Sequence, residues 1–359
     1  MSLDIDISSL LSPFQDGSRG GTDLREDDDP NNAYRRIRDA RNEAREEERQ
    51  ADINGESAAG ATHLWRDVWE NGQEYLRSCA KDLEIVAYMI EASIRLDGFG
   101  GLAQSLKLTT ELLNSFWGEL LPTPDDEGIA TTLRPITRLN GDVISYPLMR
   151  VAMTEDTSIG SMVVWQYGQA KQLATLSPQE QETRISSGAV TLEKFNRAVA
   201  ESKDPFFRGL SLQIQDARAA LIQLGKTLEE RAGDAEAPNL SRFQKSIDDA
   251  DAVLQQVAGN RLGPKATGST AQGVAGQTSS GDAGGGSELS SRSNALDLLE
   301  TVAQWFETHE PQSILPSEIR KAIRRGKMSP QELYADLIVD SDVRRQLYKD
   351  VGIVVPEDF

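Results

Sequence analysis

The residues that could do chemistry in this 359-residue chain are few and widely separated. The two histidines, His63 and His309, show no metal-ligand spacing, and the one cysteine, Cys79, has no second thiol with which to build a zinc cluster. The GxSxG pattern of a hydrolase nucleophile does not occur in the sequence. These observations predict a protein that is not an enzyme and that uses neither a metal nor another cofactor.

Three short patterns resemble ligand loops but lack their context. Gly225-Lys226-Thr227 is similar to the end of a phosphate-binding loop, which needs a glycine where Ala220 stands, and the apolar spacing around it predicts one continuous helix. Gly98–Gly101 follows no strand, and Asp125–Glu127 lacks the oxygen spacing of a calcium loop. A helical nucleotide-binding regulator or hydrolase therefore remains only the alternative function.

The elements that would position these residues are helices, and the clearest of them lie between Lys81 and Pro122. Apolar residues recur there at helical spacing on both sides of Gly98–Gly101. Glycine can end the first helix in a left-handed conformation, and Pro122 stops the second. The pattern predicts a helical hairpin that packs through its apolar stripe.

A second segment, Asn31–Ala51, is almost entirely charged. Asp29-Pro30 predicts its helix start, and Tyr34, Ile37 and Ala44 give it only a thin apolar stripe. Two interpretations stay open, a solvated strut and a helix that docks a partner. For the second, the candidate docking residues are Arg35, Arg38 and Arg41.

The rest of the first 260 residues also favours helices. Residues 150–185 are ambiguous, because Ser161–Trp165 fits either a short strand or a buried helical turn. Ser177–Glu180 has the composition of a capping box. The remaining predicted helices are Trp65–Ser78, a stretch that ends near Tyr146, Thr191–Ser202, Phe206–Ala232 and Leu240–Ala258.

Residues 261–291 form the clearest boundary in the chain. They contain 8 glycines among 31 residues and almost no large apolar side chain, a composition typical of a flexible linker. The sequence therefore predicts an all-α protein with an N-terminal domain at 1–150, a helical middle region at 151–260, the linker at 261–291 and a small C-terminal domain at 292–359.

The C-terminal domain has about 68 residues and limited room for a core. It nevertheless carries many large apolar side chains, and closed homo-oligomers are a common way to bury such a surplus. We therefore expect an oligomer interface among Leu296, Leu299, Trp305, Phe306, Ile319, Ile323, Leu333 and Leu337.

Composition and charge limit the partners. The formal net charge is −19, of which −16 lies in residues 1–291, so nucleic-acid binding is disfavoured and basic protein surfaces are favoured. The longest clean apolar run, Ile85–Ile90, is too short to insert in a membrane. The acidic start of the chain does not resemble a signal peptide, and the unpaired cysteine fits a reducing compartment, so we expect a cytoplasmic protein.

Four motifs stand out along the chain, namely the KDL…GF.GL pattern of Lys81–Pro122, the GxDLR pattern at Gly21–Arg25, the tryptophan-bearing Trp65–Val68 and the segment Ser291–Ile338. Together they resemble the ImpA/TssA family of type VI secretion systems. Ser313-Ile314 and Arg19-Gly20 depart from the family pattern.

The resemblance implies a helical ImpA-type N-terminal domain and a structural component that forms a homo-oligomeric ring through its C-terminal domain. It also implies docking onto baseplate, sheath and tube proteins during tail assembly, and contact with the membrane complex at the inner face of the inner membrane. The short C-terminal domain is similar to that of the baseplate-associated branch of the family.

Overall fold

The computed structural model describes most of the chain, namely Leu3, 5–14, 17–55, 58–262, 292–309, Gln312, 314–328, 330–338, Asp340 and Val343. Within these ranges every regular element is a helix, accompanied only by isolated β-bridges, which confirms the predicted all-α class. The chain divides into two compact units, residues 1–269 and 270–359. Among the helices of the described residues, none has the length and apolar composition that a membrane span needs.

The N-terminal unit contains eleven α-helices and one 3₁₀ turn within its described residues. The helices are α1 (Ile7–Leu10), α2 (Ala33–Asn54), α3 (Ala59–Ser78), α4 (Leu83–Phe116), α5 (Ile129–Arg138), α6 (Asp142–Met149), α7 (Val164–Leu173), α8 (Pro178–Ser186), α9 (Leu192–Glu201), α10 (Asp204–Ala232) and α11 (Ser241–Ala258), followed by the 3₁₀ turn Gly259–Arg261.

Helix α4 is the predicted hairpin, bent sharply at Asp97 and Gly98, whose backbone angles are non-helical. The two ends of α4 lie side by side, because Leu83 N donates to Leu121 O at 2.8 Å and Leu121 N donates to Lys81 O at 3.0 Å. Gly98 has φ 58° and ψ −133°, a region that only glycine adopts without strain. The hairpin prediction is confirmed.

The start of α2 differs from the sequence prediction. Asn32, rather than Asp29, is the N-cap, and its Oδ1 accepts from Arg35 N at 2.9 Å. The helix ends at Asn54, where Gly55 takes a left-handed conformation. The Asp29-Pro30 signal was misleading because an asparagine two residues later offers an equally good cap with a helix-compatible continuation.

The ambiguous stretch after residue 150 forms an isolated β-bridge followed directly by a helix, rather than a strand. Ala152 and Val163 form an antiparallel bridge, in which Met153 N donates to Met162 O at 2.6 Å, and α7 begins directly afterwards at Val164. The capping box at the start of α8 is confirmed, because Glu180 accepts from both the backbone and the hydroxyl of Ser177.

The core of the N-terminal unit extends over helices on both sides of residue 150. Helix α10 packs along the α4 hairpin, and apolar side chains of α4, α6, α9, α10 and α11 belong to one buried cluster. Arg261 also belongs to this unit, because it donates to the carbonyl oxygens of Val199 and Ser202 and pairs with Asp204. The remaining predicted linker, 263–291, lies outside the described residues.

The C-terminal unit contains α12 (Arg292–His309), α13 (Leu315–Lys327) and α14 (Pro330–Leu337) within its described residues. Helices α12 and α13 pack against each other, with Ala303 and Ile323 buried between them. Ion pairs join the three helices, since Arg320 of α13 binds Glu300 and Glu307 of α12, and Arg325 of α13 binds Asp336 of α14. The second predicted capping box begins at Ser329, which lies outside the described residues.

Candidate functional site

The GxDLR and KDL signatures, which are 56 residues or more apart in sequence, meet at one buried ion-pair cluster. Arg25 Nη1 lies 2.9 Å from Asp82 Oδ2, and its Nη2 lies 2.8 Å from Glu84 Oε2. The Asp82 side chain is completely buried, and it also caps α4 by accepting from Glu84 N. Burial opposes the charge of Arg25, but Asp82 and Glu84 raise its pKa, so Arg25 stays protonated.

The backbone before Arg25 is shaped for this contact. Thr22 N donates to Cys79 O at 3.0 Å and Lys81 N donates to Gly20 O at 2.8 Å, which holds residues 20–22 against the start of α4. Gly21 has φ 83°, and a Cβ there would lie 2.2 Å from Cys79 O, so a side chain does not fit. The GxDLR glycine is therefore required by packing.

Lys81, the first residue of the KDL signature, is fully buried. Its Nζ donates to Leu10 O and Leu76 O, each at 2.7 Å, and lies over the rings of Phe14 and Phe116. Burial lowers the pKa of Lys81 to about 8, which would suit a nucleophile, but the amine is enclosed by these carbonyl groups and rings. Lys81 joins α1 and α3 to the hairpin.

Helix α2 is attached to α4 by a ladder of polar contacts at seven-residue spacing. Its three rungs are Tyr34 Oη to Glu84 Oε2 at 3.0 Å, Arg41 Nε to Glu91 Oε1 at 2.7 Å, and Arg95 Nε to Glu48 Oε1 at 2.6 Å. Seven residues are close to two helical turns, so the rungs lie along one face of α2. The charged helix is therefore clamped to the core, and the solvated-strut interpretation is wrong.

The three predicted docking arginines have different environments. Arg41 is mostly buried against Glu91 and over the ring of Tyr88, so its exposure was wrongly predicted. Arg35 is half-buried and donates to Asp27 O at 3.0 Å, whereas Arg38 pairs with its exposed neighbour Asp39. Only Arg38 has the accessibility that a docking residue needs, and its role in docking stays a prediction.

Sequence reasoning missed the partners of this ladder. Glu91 is 1% exposed, and it is the acidic residue within an otherwise apolar stretch of the first arm of α4. A carboxylate at such a position requires a buried cation. Glu91 and Arg41, the basic residue seven positions after Tyr34, were therefore the signal in the sequence from which this contact could have been predicted.

The eight predicted interface residues of the C-terminal unit also fall into two groups. Ile323 is buried within the unit, and four others are half-buried, namely Leu296, Phe306, Ile319 and Leu333. The exposed members are Leu299 at 39%, Trp305 at 52% and Leu337 at 52%. Val302, which the sequence analysis did not name, is 37% exposed and joins Leu299 and Trp305 at three-residue spacing along α12.

A further concave region in the N-terminal unit surrounds Tyr146 on α6. Three cavities of about 630, 520 and 530 Å³ all include Tyr146 in their lining. The Tyr146 hydroxyl donates to Asp52, and Arg150 donates to both oxygens of Asp52 while its guanidinium lies over the Tyr146 ring. These contacts join α6 to the end of α2 and hold the region in one shape.

The residues first considered for chemistry are not gathered into a site. His63 is exposed near Asp67, Cys79 is a half-buried free thiol, and Gly225–Thr227 lies within α10. The side chain of His309 lies outside the described residues. Within the described part of the chain, His, Cys, Asp and Glu side chains do not form a group of three or more that could hold a metal ion.

Fold and surface together define a class of protein. The described structure is an all-helical scaffold whose buried charges connect its own helices, followed by a small helical unit that leaves apolar side chains on its surface. Exposed apolar side chains of this kind are typical of surfaces that contact other proteins.

The comparisons with known proteins identify the family. Residues 11–141 match the family model described as ImpA, N-terminal, type VI secretion system. The chain is 24% identical over 270 residues to the type VI secretion system component TssA1 of Pseudomonas aeruginosa, across 73% of this chain and 76% of that protein. Residues 11–141 therefore form an ImpA-type N-terminal domain of the ImpA/TssA family of the type VI secretion system.

A solved structure has the same fold. It is the N-terminal domain, including the conserved ImpA_N region, of the TssA component from Burkholderia cenocepacia, with a TM-score of 0.61 and 24% identity. The similarity covers 72% of this chain and 96% of that structure. The helical arrangement described above is therefore shared with a TssA N-terminal domain.

Proposed function

We propose that this chain is a structural assembly component of a bacterial type VI secretion system, that its C-terminal unit forms a homo-oligomeric ring, and that its N-terminal unit docks onto baseplate, sheath and tube proteins. The chain acts in the cytoplasm and reaches the inner face of the inner membrane through the secretion apparatus, where the membrane complex is a further partner. The ImpA-type N-terminal domain and the similarity to TssA1 support this proposal.

The observation that carries the ring proposal is the exposed side of α12. Leu299, Val302 and Trp305 follow one another at three-residue spacing and are 37–52% exposed, although α12 already packs on α13 through Ala303. A helix that is apolar on its inner and its outer side usually contacts a second partner. A second copy of this unit supplies that partner in a closed ring.

The proposed docking role of the N-terminal unit follows from its rigidity and its charge. Its helices share one core and its buried charges are paired internally, so it can present surfaces in fixed positions. The acidic composition of residues 1–291 favours partners with basic surfaces.

A secretion assay tests the proposed function. A strain that lacks this protein is complemented with the wild-type chain, with the double variant Leu299→Glu/Val302→Glu, or with Leu212→Glu/Ile222→Glu as a matched control. Leu212 and Ile222 are 61% and 48% exposed on α10, so the control introduces the same charges at apolar surface sites outside α12.

We expect the α12 variant to accumulate to wild-type levels and to fail in releasing the tube protein into the medium, whereas the control restores release. Release of the tube protein by the uncomplemented strain, which lacks this protein, would contradict a role in secretion. Normal release by the α12 variant would contradict assembly through this face.

A further inference from the structure

The cavity between α6 and α7 has the composition of a protein-binding hot spot. Its volume is about 530 Å³, and its lining combines Tyr146, Met149, Arg150 and Trp165. Aromatic residues, methionine and arginine are the residue types enriched at the centres of protein interfaces, and aromatic residues and arginine dominate hot spots. Trp165 and Met149 are only half-buried, although they belong to the largest apolar residues on this surface.

The floor of this cavity is fixed before any partner arrives. Ser145 on α6 is hydrogen-bonded to Ser246 on α11 at 2.8 Å, and Tyr146 is held by Asp52. Trp165 lies in the first turn of α7, just after the bridge between Ala152 and Val163. A partner that enters a preformed cavity loses less free energy to ordering than one that must create it.

The charges around the cavity favour a basic occupant. Arg150 is neutralised by Asp52, whereas Asp142, at the start of α6, makes no ion pair with any residue of the described part of the chain. Asp97 lines the adjoining cavity and accepts a hydrogen bond only from the backbone N of Leu3 among described donors. The unpaired charge of this cavity and that of the adjoining cavity are therefore both negative, in a chain whose net charge is −19.

We propose that this cavity, the Tyr146 groove lined by Asp142, Ser145, Tyr146, Met149, Arg150 and Trp165, is the docking surface for a partner protein segment that presents a large apolar side chain flanked by lysine or arginine. The apolar side chain fills the space between Trp165 and Met149, and the basic residue pairs with Asp142. The inference rests on the docking role proposed above and gives that role a place and a partner chemistry.

The probe is a fluorescently labelled amphipathic helical peptide made of leucine and lysine. Its binding to the full-length chain is measured by fluorescence anisotropy at 0.15 M salt. Two counterpart peptides serve as controls. One replaces every lysine by glutamate, and the other replaces every leucine by serine. We expect the leucine–lysine peptide to bind and both counterparts to bind at least about tenfold more weakly, because each lacks one of the two contacts. Equal binding of the serine peptide would show attraction to net charge alone and would overturn the proposal.

Two variants locate the binding. Trp165→Ala removes the apolar wall and Asp142→Lys reverses the unpaired charge, and each is expected to weaken the leucine–lysine peptide about tenfold. Asp142 is exposed, so its variant should fold even if Trp165→Ala does not. The matched controls are Asp156→Lys, an exposed acid outside the groove, and Leu212→Ala, an exposed apolar residue on α10. Equal losses in the controls, or no peptide binding to the wild-type chain, would overturn the proposal.

The same variants separate this inference from the proposed function. In cells, Asp142→Lys should leave the native mass of the assembly unchanged and abolish release of the tube protein, whereas Asp156→Lys should permit release. Normal release by Asp142→Lys, with an intact assembly, would refute the groove and leave the assembly role standing. A wild-type chain that does not assemble would instead refute the proposed function.

Discussion

The two units of this protein differ in the side chains that set them apart. In the N-terminal unit, charged groups are buried, and Glu91 at 1% exposure and the fully buried Asp82 are neutralised by Arg41 and Arg25. In the C-terminal unit, apolar groups are exposed, and Trp305 is 52% accessible. Buried charges that are matched within the chain stabilise the scaffold, whereas a row of exposed apolar side chains on one helix is suited to contacts with other molecules.

The contrast explains why the composition of a helix, charge-rich in α2 and apolar-rich in α12, does not by itself show what the helix contacts. Charge on a helix is usually read as solvation, but every second turn of α2 carries a group that contacts α4. Apolar residues on a helix are usually read as core, but Leu299, Val302 and Trp305 of α12 stay exposed although α12 packs on α13. In these two helices the role of a side chain follows from what it contacts rather than from its residue type.

The largest expected effect comes from breaking the buried cluster. Arg25→Ala leaves Asp82 buried without its cation, which should lower the free energy of unfolding of the N-terminal unit by about 3–5 kcal/mol. Urea denaturation followed by circular dichroism measures this change. The matched variant Arg19→Ala removes an exposed pair with Glu119 and should cost no more than about 1 kcal/mol. Similar costs for both variants would mean that burial of Asp82 is not what matters.

The hairpin bend is expected to be the next most sensitive position. Gly98→Ala forces alanine into φ 58° and ψ −133°, with its Cβ 3.1 Å from Val151, and should destabilise the unit by about 1–3 kcal/mol. Gly225→Ala is the control, because this glycine lies inside α10 with open space around it and should stabilise the protein by about 0.5–1 kcal/mol. Thermal denaturation of both variants distinguishes backbone strain from a general sensitivity to alanine.

Acid should weaken the N-terminal scaffold through Glu84. Burial acts to raise its pKa, but hydrogen bonds from Arg25, Tyr88 and Tyr34 prevail and hold the pKa below its ordinary value of 4.5. A pKa that is lower in the folded state stabilises the fold above about pH 4.5 and loses this effect as pH falls through the folded-state pKa. Between pH 6 and 3 the free energy of unfolding should therefore fall more steeply with decreasing pH for the wild type than for Glu84→Gln. An equal fall for both proteins would contradict the role assigned to Glu84.

The smallest effect is expected on the outside of α2. Arg38→Glu changes a side chain that is 39% exposed and should alter stability by no more than about 0.5 kcal/mol. Arg41→Glu places a second carboxylate beside buried Glu91 and should be far more damaging. Chemical denaturation of the two single variants sharpens the contrast within one helix. If both prove neutral, the polar ladder between α2 and α4 does not exist in solution.

The hairpin could be predicted because its evidence is local, namely apolar residues at helical spacing interrupted by glycine and ended by Pro122. The Arg41–Glu91 and Arg25–Asp82 pairs could not, because each joins positions 50 or more residues apart and periodicity reports only neighbours in sequence. The C-terminal residues were correctly recognised as a surplus of apolar groups, but the sequence did not tell Ile323, which is buried, from Leu299, which is exposed. The Tyr146 groove escaped notice because the residues of α6 form a cavity only when the fold brings Trp165 of α7 beside them.

The most direct test of the division between scaffold and assembly surface is the native mass of the full-length chain, measured by light scattering over a range of concentrations. The account predicts a multimer for the wild type and for Leu212→Glu/Ile222→Glu, and a smaller species for Leu299→Glu/Val302→Glu with an unchanged unfolding transition of the N-terminal unit. A wild-type chain that remains a monomer at tens of micromolar, or an α12 variant that keeps the full native mass, would contradict it.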